Sequence, residues 1–240
     1  MEICVDSLQS AHNAVKGGAT RLEVCSSLSD GGLTPTSGLV HTIKSQYSKI
    51  SLYCMIRIKP GNFVYTREEM DAMLFDVKIL SQNGADGFVF GALTENYEIH
   101  NDFCREIIST AAPKRITFHR AFDEVLSPFV ALEELITLGF ERILTSGQKN
   151  TAIDGLDLIQ KLVQVAGNRI VVMPGSGINS TNILEIQKIS GAKEFHASAK
   201  MRITEKCAEN KVKMSERESF LFVASEDLVK QLVVAIRTAR

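Results

Sequence analysis

Two carboxylates and two thiols stand out at matching places near the start of this chain. Glu2 and Cys4 are two apart in Glu2-Ile3-Cys4-Val5, and Glu23 and Cys25 are two apart in Arg21-Leu22-Glu23-Val24-Cys25. Alternate residues of an extended strand share a face, so each carboxylate points the same way as its thiol. If the two strands are neighbours and that face is inward, both pairs meet near the mouth of the fold. Paired thiolates suit Cu(I), while carboxylates alone would suit harder ions. The plain alternative is that each cysteine is a small buried hydrophobe.

A second group is His119-Arg120-Ala121-Phe122-Asp123, which places a histidine, a cation and a carboxylate together. That is acid–base equipment, with Asp123 pairing Arg120 or capping a turn, and His119 satisfied in the core, as the structural alternative. Arg57 adds a cation after another apolar stretch, and His196 and Ser198 share a face near the end of the chain. Together these residues describe a polar pocket for an anionic small molecule. The turn Pro174-Gly175-Ser176-Gly177, with Ser198, offers backbone amides to an anion such as phosphate, although Gly-x-Gly also marks an ordinary tight turn.

The elements that must position these groups alternate regularly. Short apolar strands are expected at Glu2–Val5, 21–25, 52–56, 87–91, 115–119, 141–145, 169–173 and 194–198, with a helical pattern between each pair. Thr66-Arg67-Glu68-Glu69 is a capping box and Pro128 suits a first helical turn. Gly18, Gly84, Gly139 and Gly191 each end a helix shortly before a strand. Eight such units in 240 residues predict a single-domain α/β fold, a TIM-type (β/α)8 barrel, with an open doubly wound sheet as the alternative. The stretch 201–222 reads as an irregular charged loop before a last helix from Ser225 to Arg237.

Composition narrows the partners. With 45% hydrophobic residues and a net charge of −1, the chain can bury a large core and carries no nucleic-acid or membrane signal. No apolar run approaches the roughly 20 residues of a membrane span, and no basic leader precedes Glu2. Five widely spaced cysteines, without a C-x-x-C pair, fit a reducing compartment. A cytosolic protein is expected.

The ordered motifs resemble the CutC copper homeostasis family over nearly the whole chain. They include Glu2-Ile3-Cys4-Val5-Asp6-Ser7, Glu23-Val24-Cys25-Ser26, Gly31-Gly32-Leu33-Thr34-Pro35, Met55-Ile56-Arg57, Phe90-Gly91-Ala92-Leu93-Thr94, Thr117-Phe118-His119-Arg120-Ala121-Phe122-Asp123 and Glu194-Phe195-His196. The chain departs at Ile58-Lys59-Pro60-Gly61-Asn62, where the family has Pro-Arg and a Gly-Gly-Asp run, and at Ser176 and Gln148, where it has glycine. The resemblance implies a TIM-type barrel, a cytosolic or nucleocytoplasmic location, homo-oligomers and a copper role. It also implies that Cys4 and Cys25 are the copper ligands. The competing reading is a barrel enzyme for a small phosphorylated or carboxylated metabolite, using His119, Asp123 and Arg57, with copper incidental.

Overall fold

A computed structural model describes residues 1–203 and 221–238. Eight parallel strands form one sheet in the order β7-β6-β5-β4-β3-β2-β1-β8. They are β1 (Glu2–Val5), β2 (Arg21–Val24), β3 (Ser51–Met55), β4 (Gly87–Phe90), β5 (Arg115–Phe118), β6 (Arg142–Thr145), β7 (Val171–Pro174) and β8 (His196–Ala197). Because the last strand pairs with the first, Glu2 opposite His196, the sheet curls on itself into a TIM-type barrel. The seven connecting helices are α1 (Leu8–Lys16), α2 (Ser37–Gln46), α3 (Arg67–Gln82), α4 (Asn101–Ala111), α5 (Pro128–Leu138), α6 (Leu156–Ala166) and α7 (Ile183–Ser190).

Local chemistry accounts for the joints. Ser7 and Thr36 cap α1 and α2, and Thr66 and Glu69 form the reciprocal capping box of α3. Gly139 and Gly191 take left-handed backbone at the ends of α5 and α7, a conformation that other residues adopt only at a cost.

Strand alternation divides the apolar residues into two populations. Outward residues such as Ile3, Leu22, Leu52, Phe88, Phe118 and Ile143 belong to the large core under the helices. Inward Cys25, Tyr53, Met55 and Val89 form a separate small cluster inside the barrel. The rest of the interior is strongly polar, and that sets up the site.

The C-terminal part corrects the expectation of an irregular 201–222 loop. Lys200–Ile203 (β9) and Leu221–Ala224 (β10) pair antiparallel, so both ends of that stretch are strand; 204–220, with Cys207, lie outside the described residues. The final helix α8 (Glu226–Thr238) starts where Ser225 Oγ accepts from the Leu228 amide. It packs on α1 at Gly17, where a Cβ would lie 2.6 Å from that of Val229.

Candidate metal centre and its surroundings

The inward faces of β1, β2 and β8 put Glu2, Cys4, Glu23 and His196 side by side, all nine-tenths or more buried. Ladder register makes Glu2 a neighbour of both Arg21 and His196, and Cys4 a neighbour of Glu23. Ligand atoms of Cys4, Glu23 and His196 lie within 4.8 Å of one another, a group able to hold a metal ion. Cys25 Sγ donates to Glu23 Oε2 at 3.6 Å, which brings the second thiol to the edge of this group. Gly32 closes over it: a Cβ there would sit 3.2 Å from Cys25 Sγ.

Electrostatics order the cluster. His196 Nδ1 donates to Glu2 Oε1 at 2.7 Å, leaving Nε2 facing Glu23 Oε2 at 3.7 Å. Burial would raise the Glu2 carboxyl, but the His196 hydrogen bond and the Arg21 and His196 charges hold it down at about 2. Burial likewise opposes a charged His196, yet Glu23 and Cys4 beside it raise its pKa well above the ordinary value. Glu23 is pushed up by burial and by Glu2, and the Cys25 thiol by burial and by Glu23. Glu23 Oε1 is buried without a hydrogen-bond partner. The cluster reaches deeper than the mouth expected from sequence, because Glu2 and His196 are the first residues of their strands.

Below it lies a layer that sequence reading did not single out. Arg21 pairs with Glu2 and, at 2.7 Å, with Glu194. Arg142 binds Glu194 at 2.9 Å and Glu141 at 2.8 Å, and Tyr53 Oη donates to Glu141 at 2.7 Å beneath both guanidinium groups. The signal was present: Arg21 has the same strand parity as Glu23 and Cys25.

The other candidates fall in separate places. Asp123 accepts from Arg120, the Thr145 and Ser146 hydroxyls and the Ser146 and Gln148 amides, so it ties the loop after β6. His119 instead leans across Gly91, where a Cβ would lie 2.6 Å from its ring, and its Nδ1 accepts the Ala121 amide at 3.2 Å. Arg57 approaches from β3, with its guanidinium 5.0 Å and the His119 ring 4.8 Å from the centre of the Phe63 ring. After β7, Ser176 and Gly177 both have left-handed backbone and Ser176 Oγ donates to Asn150 O, while Gly175 packs on His196. Ser198 is half-buried just beyond β8.

Known proteins can be set beside this geometry. The profile of the CutC family matches residues 1–201. The chain belongs to the CutC family. A Homo sapiens relative named copper homeostasis protein cutC homolog is 50% identical over 200 residues, covering 83% of this chain and 73% of the relative. A CutC family protein from Parabacteroides distasonis is 46% identical over the same share of this chain and 82% of its own length. The crystal structure of CutC from Streptococcus agalactiae superposes with a TM-score of 0.79 at 31% identity, covering 82% of this chain and 97% of that one. The family match thus includes β1 to β8 and stops where β9 begins.

Proposed function

We propose that this CutC protein serves copper homeostasis by holding Cu(I) inside the barrel. The observation that carries the reading is the buried convergence of Cys4, Glu23 and His196. A sulfur and an imidazole nitrogen are soft and borderline donors of the kind Cu(I) selects. Cys4 Sγ and His196 Nε2 would hold the ion, with Cys25 as the second sulfur and Glu23 beside it. Glu2 fixes the imidazole through its far nitrogen, the arrangement that commonly orients metal-binding histidines.

Copper here is cargo, and the residues prepare the site by burial and by orienting His196. Binding must displace the proton of each thiol and the Nε2 proton of the charged His196, because thiolate and neutral imidazole are the ligand forms. The cytosolic or nucleocytoplasmic setting and homo-oligomeric state belong to the same proposal. A reducing setting is supported by Cys4, Cys25, Cys54 and Cys104, all buried and free.

The test is anaerobic Cu(I) titration against a competing chelator. Wild type should bind stoichiometrically, Cys4→Ser with Cys25→Ser should lose tight binding, and Glu2→Gln should weaken it by about 10–100-fold. Weak wild-type binding, or tight binding kept by the double variant, sinks the assignment.

A further inference from the structure

Three buried polar atoms at the C-terminal end of the barrel have no hydrogen-bond partner: Arg57 Nε, Tyr65 Oη and His119 Nε2. Their side chains belong to residues at most 6% exposed. Such groups are costly to bury unless something completes them.

Most other valences of Arg57 and His119 are committed. Arg57 Nη1 donates to the carbonyls of Asp30 and Gly32, and Nη2 to that of Gly61. The guanidinium is a permanent cation, and no carboxylate of the described residues pairs with it. Asn62, in the crest of the loop above it, brings no charge. Burial and the Arg57 charge push the His119 pKa down to about 3, so the imidazole is neutral. Its Nδ1 accepts from Ala121, which places the proton on the unpartnered Nε2.

Phe63 holds the group together, lying about 5 Å from both the Arg57 guanidinium and the His119 ring. Arg57 also lies near the Tyr65 phenol, whose pKa burial raises and the Arg57 charge pulls back down. What remains is two N–H donors, one of them cationic, and a hydroxyl. That combination is suited to an acceptor carrying negative charge.

We propose that Arg57, Tyr65 and His119 form a second site, separate from the metal cluster, that receives one oxyanion oxygen of a small carboxylate or phosphate. One oxygen suits the group, because Nη1 is spent on the Asp30 and Gly32 carbonyls and Nη2 is tied to Gly61, which leaves Nε as the wholly unpartnered nitrogen of Arg57. The site lies under the exposed Pro60–Asn62 crest, to whose Gly61 carbonyl Arg57 is tied. Asp123 is outside it, its oxygens already taken by the β6 loop. Arg57 and His119, both candidates by sequence, thus act here in binding, and Tyr65 joins them.

Heteronuclear NMR of the imidazole nitrogens on the full chain tests this, with inorganic phosphate or acetate as the only added anion. The His119 Nε2 resonance should move saturably with at least one of them, and the responding anion assigns the class. Tyr65→Phe should weaken that binding about tenfold, the loss of one charge-assisted hydrogen bond, while leaving Cu(I) affinity unchanged. His119→Asn, which can keep the contact to the Ala121 amide, should weaken it as well. No response to either anion would mean that the three atoms hold only water, and equal affinity in Tyr65→Phe would place the anion elsewhere. Either result overturns the proposal.

Discussion

The two ends of the barrel interior treat buried charge in opposite ways. At the N-terminal end, Arg21, Arg142, Glu2, Glu141, Glu194 and the Tyr53 hydroxyl satisfy one another in a closed network. Toward the C-terminal end, Glu23 Oε1, Arg57 Nε, Tyr65 Oη and His119 Nε2 are buried and lack partners. A saturated network stabilises and specifies the closure of the barrel, whereas an unsatisfied one leaves positions for a ligand. The division agrees with the general behaviour of these barrels, in which one face supports the fold and the other carries the chemistry.

The sharpest way to break this contrast is at Arg142. Its side chain is 4% exposed, and Arg142→Met would leave the acidic partners Glu141 and Glu194 short of their cation. Unfolding by denaturant should show a loss of about 3 kcal/mol, the low end for breaking a buried ion pair from one side, because Glu141 and Glu194 are 30% exposed and keep Tyr53 and Arg21 as partners. A loss below about 1 kcal/mol would show that the layer is not a structural network.

Acid separates the two ends next. His119 has a folded pKa of about 3 against an ordinary value near 6.5, so the unfolded chain takes up its proton first. Its stability contribution is therefore complete above pH 6.5 and is lost as pH falls toward 3. The slope approaches about 1.4 kcal/mol per pH unit below pH 6, roughly 2.3 kcal/mol between pH 6.5 and 4.5. Subtracting the pH–stability curve of His119→Asn from that of wild type should reveal this slope; parallel curves would refute a neutral buried imidazole.

The smallest test is a matched pair of hydroxyl deletions. Tyr53→Phe removes a donor to Glu141 and should cost about 2 kcal/mol, within the range for hydrogen bonds to charged groups. Tyr65→Phe removes a buried hydroxyl that has no partner, and in anion-free buffer it should be neutral or stabilising by up to about 1 kcal/mol. Equal losses in thermal unfolding would erase the distinction between the two ends.

Much of the fold was legible because its signals are local. Strand runs, the Thr66–Glu69 capping box and the Gly139 and Gly191 stops each depend on a few adjacent residues, and the structure places elements there. The 201–222 stretch was misread at both ends, since the pairing of Met201 with Val223 joins residues that no local pattern connects. At the site, parity put Glu2, Cys4, Glu23 and Cys25 on shared faces, and the same rule applied to Arg21 would have exposed the lower layer. Tyr65 gave no signal, because it lies in a loop where no period fixes a side chain.

The sequence by itself determined which side chains share a face of each strand, because a strand alternates with a period of two whatever it pairs with. Only the tertiary structure decided which of them meet. Glu2 and His196 are 194 residues apart and become partners through the β1–β8 pairing that curls the sheet. The stagger of the curled sheet, which no single strand encodes, then sets which charges are neutralised at one end and which are left unpartnered at the other.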